Sequence, residues 1–316
     1  MNSAIDILQA CPLPPGLTQQ LPALGNVTVL SDQTDATEFL ANHGARFSVL
    51  VTSGLLATNN AIIASLPRLQ AVCSMGVGYE TIDIAAAQAR GIGVSNTPDV
   101  LNDCVADLAM GLLLDVVRGI SASDRHVRRG DWVRQGPSPV TTKVSGKRLG
   151  LVGMGRIGQA IAQRAQGFNL DIRYNSRTPR PQLAWQHEPN LRALAEWCDF
   201  LVVACSGGAD THHLIHAEIL HALGPQGYLV NIARGSVVDE AALVHALTTG
   251  QLGGAGLDVF DDEPQVPAAL LDLDNVVLQS HMGSGTRETR KAMADLVVQN
   301  ARSFLETGRL LTPVTG

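Results

Sequence analysis

The sequence predicts an α/β fold of two parallel-sheet domains with a cleft between them. Three observations predict it. Short β-branched or aliphatic runs alternate with longer helical patterns almost throughout. The alternation occurs in two series, separated by a turn and a long apolar helical stretch. A chain of 316 residues exceeds one small domain and suits two of ordinary size.

The first series has strand candidates at Ala4 to Leu8, Val27 to Leu30, Phe47 to Thr52, Leu69 to Cys73 and Ile92 to Ser95. Helical patterns at Thr34 to Asn42, Asn59 to Leu66 and Ile82 to Arg90 lie between them. Asn96-Thr97-Pro98 closes the group, because the residue before proline is pushed out of the helical region. Asp103 to Val117 is small and apolar with polar residues to one side, the pattern of a packed helix joining two domains. Asp124 to Trp132 reads as a charged helix, followed by an exposed loop at Gln135 to Pro139, an arrangement common at dimer contacts.

The second series runs through Arg148 to Val152, Leu170 to Tyr174, Phe200 to Ala204, Tyr228 to Asn231, Ala255 to Val259 and Val276 to Leu278. Thr286 to Leu305 is then one long helical pattern ending at Gly308 with no strand after it, so it should cross back to the first domain. The expected organisation is a discontinuous domain of residues 1–98 plus 286–316 and a second domain of residues 99–285.

Composition excludes several functions. The chain is 45% hydrophobic and 16% charged, the balance of a packed globular protein. A net charge of −6 argues against nucleic acid, which needs a concentrated basic face. The run Arg125-His126-Val127-Arg128-Arg129 is too short to make one. Leu108 to Val117 is the best membrane candidate, but Asp115 interrupts it and it is too short to span. The N-terminus carries Asp6 and lacks the basic and apolar regions of a signal peptide. Five scattered cysteines, with no Cys-x-x-Cys pair, fit a reducing cytoplasm. His212, His213 and His216 have metal-like spacing, yet lack clustered carboxylates or thiols, so no metal is expected.

The motifs that carry chemistry lie in the second series. Gly153-Met154-Gly155-Arg156-Ile157-Gly158 follows a strand and opens a helix, the context in which glycines permit a tight turn and bring a pyrophosphate to a helix N-terminus. Enzymes that use NAD usually place an acid at the end of the next strand for the ribose 2′-hydroxyl. Here that corner reads Tyr174-Asn175-Ser176-Arg177-Thr178-Pro179-Arg180. Ser176 and Thr178 can donate hydrogen bonds and Arg177, with Arg180 as a second candidate, can pair with a 2′-phosphate, so NADPH should be preferred over NADH. Arg234 follows a strand ending at Ala233, placing a guanidinium at the sheet edge where ligands of open α/β sheets bind. Such a planar fork can hold a carboxylate and polarise the adjacent ketone. His281, just past the last strand, and Glu263, before Pro264, complete the set. A carboxylate beside an imidazole favours the protonated ring and fixes its tautomer. Cys205 ends a strand near the expected cofactor and has no base adjacent in sequence, which fits a packing role.

Together, Gly153 to Gly158, Asn231-Ile232-Ala233-Arg234-Gly235, Gly254 through Glu263-Pro264, and His281 resemble the D-isomer-specific 2-hydroxyacid dehydrogenases. Within that family the chain looks closest to the NADPH-dependent glyoxylate, hydroxypyruvate and hydroxyphenylpyruvate reductases, through Asp103 to Leu108, Tyr174 to Arg177 and His281-Met282-Gly283-Ser284-Gly285-Thr286. The resemblance implies Rossmann-like and flavodoxin-like domains and the reduction of a small 2-keto acid, glyoxylate or hydroxypyruvate, to the D-2-hydroxy acid. It implies that His281 is the acid/base, Glu263 its partner and Arg234 the substrate anchor.

It further implies that backbone N–H groups of Val77 and Gly78, in a loop after a first-domain strand, bind the substrate carboxylate, with Ser53 and Gly54 lining the distal pocket. The implied cofactor contacts are Gly153, Gly155, Arg156, Ile157, Gly158, Ser176, Arg177, Thr178, Cys205, Ser206, Thr211, Ile232, Ala233, Asp258 and Gly283. By the same resemblance the protein should be a homodimer in which Trp132 reaches the partner subunit's site. Where the family often has aspartate in the glycine-rich substrate loop, this chain has Glu80. Two rival readings are an NAD-linked relative acting on D-lactate, phosphoglycerate, formate or phosphite, and a dinucleotide-sensing corepressor or scaffold on the same fold.

Overall fold

The computed structural model describes residues 5–314. The strands are β1(Asp6–Gln9), β2(Asn26–Val29), β3(Val49–Ser53), β4(Ala71–Met75), β5(Gly93–Ser95), β6(Arg148–Val152), β7(Asp171–Asn175), β8(Gln186–His187), β9(Phe200–Val203), β10(Tyr228–Asn231), β11(Gly254–Leu257) and β12(Val276–Leu278). The helices are α1(Pro15–Thr18), α2(Ala36–His43), α3(Asn59–Ala64), α4(Ile84–Ala89), α5(Asn102–Arg118), α6(Ile120–Arg128), α7(Asp131–Gln135), α8(Arg156–Gln166), α9(Leu191–Trp197), α10(Ala217–Leu223), α11(Glu240–Thr248), α12(Ala268–Leu271) and α13(Arg287–Thr307). The chain divides into two compact units, with junctions at 101/102 and 285/286.

The first unit holds a five-stranded sheet in the order β2-β1-β3-β4-β5, parallel throughout. Such a sheet is buried on both faces and reads as nearly continuous apolar sequence. Accordingly Leu8, Leu50 and Val72 join Phe47 and Leu66 in one core. Two helices start slightly later than their patterns suggest, because capping sets the boundary. The Asp35 carboxylate accepts the N–H groups of Thr37 and Glu38, and the Asp83 carboxylate accepts that of Ala86. The expected strand start at Ala4 lies outside the described residues. Helix α13 packs on β4 and α1, and Gly308 ends it in the left-handed conformation at φ 71°. The fully buried Asn300 then accepts the N–H groups of Leu311 and Thr312, which tethers the following tail beside β5.

The second unit holds a seven-stranded parallel sheet in the order β12-β11-β10-β9-β6-β7-β8. Strand order reverses between β6 and β9, the switch point at whose carboxyl side ligands of doubly wound sheets bind. Helix α5 lies over β10 and β11, where Gly254 and Gly256 leave room for Val116 and Leu112. The sheet order extends by one strand beyond the six expected. That strand, β8, is only two residues long and pairs Gln186 with Arg173 and His187 with Tyr174. The expected helix from Asp124 to Trp132 is instead two helices, starting at Ile120 and broken by Gly130 at φ 74°.

No helix among the described residues is long and apolar enough to cross a membrane.

Candidate active site

Three consecutive strand ends of the second unit carry the polar residues that matter: β10 leads to Arg234, β11 to Glu263 and β12 to His281. The His281 Nδ1 lies 2.7 Å from Glu263 Oε2, and the two side chains are 24% and 31% exposed. A pair this short and this shielded fixes the ring orientation and leaves Nε2 as the outward nitrogen. The other Glu263 oxygen accepts the Phe260 N–H at 3.1 Å. Burial works to raise the Glu263 carboxyl, but the His281 hydrogen bond and charge, the Phe260 N–H and the Arg234 charge outweigh it. The carboxyl therefore sits below its ordinary value.

The turn beneath His281 is built by Asp258. His281 has a left-handed backbone, φ 55°, tolerated by few residue types and held only where the surroundings demand it. Its N–H donates to Asp258 O at 2.9 Å, while the N–H groups of Met282 and Gly283 donate to the two Asp258 carboxylate oxygens at 2.6 and 2.8 Å. Asp258 is 2% exposed, and burial pushes its carboxyl upward despite those donors. Asp258 and Gly283, both expected cofactor contacts, thus spend their polar groups on each other.

Asn231 does the corresponding work at Arg234. Its buried side chain accepts the Ala233 N–H and donates to Arg234 O, closing the turn after β10. The Arg234 Nη1 donates to Ala233 O at 2.6 Å. Gly235 is pressed so closely on the Phe260 carbonyl that no β-carbon fits, which draws the Arg234 turn against the segment leading to Glu263. Neither Asn231 nor this use of Asp258 was apparent from the sequence; a polar residue at the last position of an apolar strand was the available signal.

The cofactor candidates divide into two sets. A groove of about 520 Å³ at the switch point is lined by Gly153, Gly155, Ser176, Arg177, Thr178, Cys205, Ser206 and Thr211, among others. Gly153 adopts φ 98°, and a β-carbon there would lie 2.6 Å from the Cys205 N. Only glycine lets β6 turn at that point. Gly155 is the N-cap of α8 with no side-chain cap, so helix N–H groups remain directed toward the groove, a donor set suited to a pyrophosphate. The remaining candidates lie outside the groove lining. Arg156, Ile157 and Gly158 form the first turn of α8, and Ile232 and Ala233 are buried at the end of β10.

At the far end of the groove the Ser176 hydroxyl donates to Thr178 O at 2.8 Å, and Arg177 Nη1 pairs with Asp210 Oδ2 at 3.1 Å. Burial pushes the Cys205 thiol up to about 11, which suits a packing residue rather than a nucleophile.

In the first unit, the Ser53–Gly54 turn and the Gly76-Val77-Gly78 loop meet. A β-carbon on Gly54 would strike the Gly78 carbonyl, and Gly54 N–H donates to Met75 O at 3.2 Å. The loop's carbonyls are engaged, that of Gly76 by the Thr97 N–H and that of Val77 by the Asn96 side chain. Asn59, fully buried, donates to Ser53 O and Thr81 Oγ1 and accepts from Thr52 Oγ1, tying both segments together.

The family model of the D-isomer specific 2-hydroxyacid dehydrogenase, NAD binding domain, matches residues 110–283. Hydroxyphenylpyruvate reductase of Plectranthus scutellarioides is 46% identical over 311 residues, covering 98% of this chain and 99% of that protein. Glyoxylate/hydroxypyruvate reductase A of Arabidopsis thaliana is 44% identical over 311 residues, with 98% and 99% covered. Among solved structures, the NADPH-dependent glyoxylate/hydroxypyruvate reductase of Sinorhizobium meliloti, in complex with NADP and malonate, superposes with a TM-score of 0.92 at 42% identity, covering 99% of this chain and 97% of that one. The strand-end residues, the glycine loop at the switch point and these similarities agree: the chain belongs to the D-isomer specific 2-hydroxyacid dehydrogenase family, a family of oxidoreductases.

Proposed function

We propose that this protein reduces a small 2-keto acid, glyoxylate or hydroxypyruvate, to the D-2-hydroxy acid with NADPH as the preferred reductant. The observation that carries the reading is the Glu263–His281 pair, 2.7 Å apart, with the Arg234 charge near enough to depress the Glu263 carboxyl. NADPH, when bound along the glycine loop and the open N-terminus of α8, supplies the hydride. The protein's own residues then have separate tasks. Arg234 holds the substrate carboxylate and stabilises negative charge developing on the ketone oxygen. His281 gives the proton from Nε2 to that oxygen, because Nδ1 is committed to Glu263. Glu263 stays ionised and holds the ring in place through Nδ1.

The unit of β1 to β5 serves as the substrate-binding domain, and the unit of β6 to β12 binds the nucleotide. The N–H groups of Val77 and Gly78 are assigned to the substrate carboxylate, which their loop supports by having its neighbouring carbonyls already engaged. Ser53 and Gly54 border the substrate's tail. Arg177 pairs with the 2′-phosphate, supported by its place at the end of β7 and by the NADP held by the Sinorhizobium meliloti relative. Exposed apolar side chains on α7, Trp132 at 59% and Val133 at 94%, support a homodimer face from which Trp132 reaches the partner subunit's site. Five free thiols suit a cytoplasmic enzyme.

Initial rates with glyoxylate, hydroxypyruvate, pyruvate and an aromatic keto acid, each with NADPH and NADH, test the assignment. The two small hydroxyl- or aldehyde-bearing acids with NADPH should give the highest kcat/KM. A higher value for the aromatic acid, or for NADH, would overturn it.

A further inference from the structure

The corner after β7 contains a charge that the 2′-phosphate reading leaves unexplained. Asp210 lies on the short turn Ala209–Thr211 following β9, which the Thr211 hydroxyl pins by donating to Ser206 O at 2.8 Å and Gly208 O at 3.2 Å. From there its carboxylate reaches Arg177 at 3.1 Å, and both residues line the same groove. The corner therefore presents cations from the β7 side, Arg177 and Arg180, and an anion from the β9 side that pairs with Arg177. The Ser176 hydroxyl is turned onto Thr178 O and shields neither member of that pair.

The paired charges of Arg177 and Asp210 act oppositely on the two nicotinamide dinucleotides. A 2′-phosphate dianion must displace the Asp210 carboxylate from Arg177 and is repelled by it at close range. A ribose 2′-hydroxyl is a neutral donor, and a carboxylate is its usual acceptor in NAD enzymes. The end of β7 carries no acid of its own, because Asn175-Ser176-Arg177-Thr178 occupies it. Asp210 brings one to the same place from another strand.

We propose that Asp210 is a specificity-determining residue for the cofactor: it competes with the 2′-phosphate for Arg177 and accepts the ribose 2′-hydroxyl of NADH, so that the enzyme prefers NADPH without excluding NADH. The proposal rests on the reading of Arg177 as the 2′-phosphate partner. Both side chains are well exposed, at 84% for Arg177 and 76% for Asp210, so their pairing is screened by solvent and open to exchange. The same exposure makes Asp210 replaceable without disturbing the core.

The test compares wild type, Asp210→Asn and Arg177→Ala at saturating keto acid, reading kcat/KM for NADPH and for NADH. Asp210→Asn should raise the NADPH-to-NADH ratio about threefold, through a lower KM for NADPH and a higher KM for NADH at unchanged kcat. The gain should shrink at about 0.5 M salt. An unchanged or lower ratio, or a change confined to kcat, would overturn the proposal. Arg177→Ala separates this from the reading beneath it. If that variant weakens NADPH while Asp210→Asn changes nothing, only the role of Asp210 fails. If Arg177→Ala leaves NADPH untouched, the 2′-phosphate reading itself fails and takes the proposal with it.

Discussion

Two polar sites of the second unit, the strand-end triad and the corner after β7, solve the same problem of holding charge in opposite ways. At the triad, charge is shielded and held by backbone: Glu263 and His281 are each less than a third exposed, and Asp258 locks the His281 turn with both carboxylate oxygens. At the corner, Arg177 and Asp210 are each more than three-quarters exposed and pair with each other through side chains alone. The shielded site suits chemistry, where a fixed proton donor is worth much and reorganisation is costly. The exposed site suits recognition, where partners exchange and discrimination is modest. If the contrast is right, substitutions at the triad should act through kcat and resist salt, and substitutions at the corner should act through KM and be screened by it.

The largest effect should come from His281→Ala. Loss of the proton donor should lower kcat about 10²–10⁴-fold. The affinity for NADPH, measured by fluorescence titration, should change little, since His281 is not among the residues that line the dinucleotide groove. A parallel loss of binding would show that the triad and the groove are not separable.

Asp258→Ala should come next. It leaves the buried N–H of Gly283 and the part-buried N–H of Met282 without their acceptors, and a buried donor stranded in this way costs about 1–3 kcal/mol. The His281 backbone, left-handed at φ 55°, would lose what holds it. Both thermal stability and kcat should fall, and NADPH affinity should fall less. A variant with reduced stability but wild-type kcat would show that His281 needs no such scaffold.

How much of this was legible in the sequence differs between the two sites for a physical reason. Strands β6, β10 and β12 fall where their apolar runs end, because a strand buried on both faces must be apolar along its whole length. Arg234 and His281 were visible as polar residues just past the ends of β10 and β12, and Glu263 in the acidic loop that follows β11. Asp258 was visible as a residue, but its partners are 24 and 25 positions away, and only the folded sheet brings them together. Asp210 was invisible for the same reason, since its partner Arg177 stands 33 positions earlier, in the corner that follows β7. Local rules also failed where tertiary pairing alone makes an element, as at β8, whose Gln186 and His187 have no strand pattern. Helix α6 begins earlier than its charged pattern because Gly119, at φ 60°, sets the start.

Acid titration separates the two carboxyls beneath His281, because their shifts have opposite signs. The Glu263 carboxyl lies below its ordinary value of 4.5, so its contribution to stability is complete above that pH and is lost as pH falls through the lowered value. The Asp258 carboxyl lies above its ordinary value of 3.8, so its titration contributes below that pH and is lost as pH rises through the raised value. The stability advantage of wild type over Glu263→Gln, followed by urea unfolding, should therefore shrink on acidification. Over the same range the advantage over Asp258→Asn should grow. Equal trends would mean that the two carboxyls do not occupy the distinct environments their hydrogen bonds describe.

The smallest effect should be at the corner, and it tests the contrast most directly. Arg177→Ala removes a guanidinium that is 84% exposed, so a charge-assisted bond to a 2′-phosphate made there is weakened by water. The KM for NADPH should rise about tenfold at low salt, less as salt is added, and kcat at saturation should stay close to wild type. The KM for NADH should barely move, because a 2′-hydroxyl gains nothing from a cation. A fall in kcat that persisted at high salt would make Arg177 part of the rigid site after all, since only groups that position the reacting atoms act after the cofactor is bound.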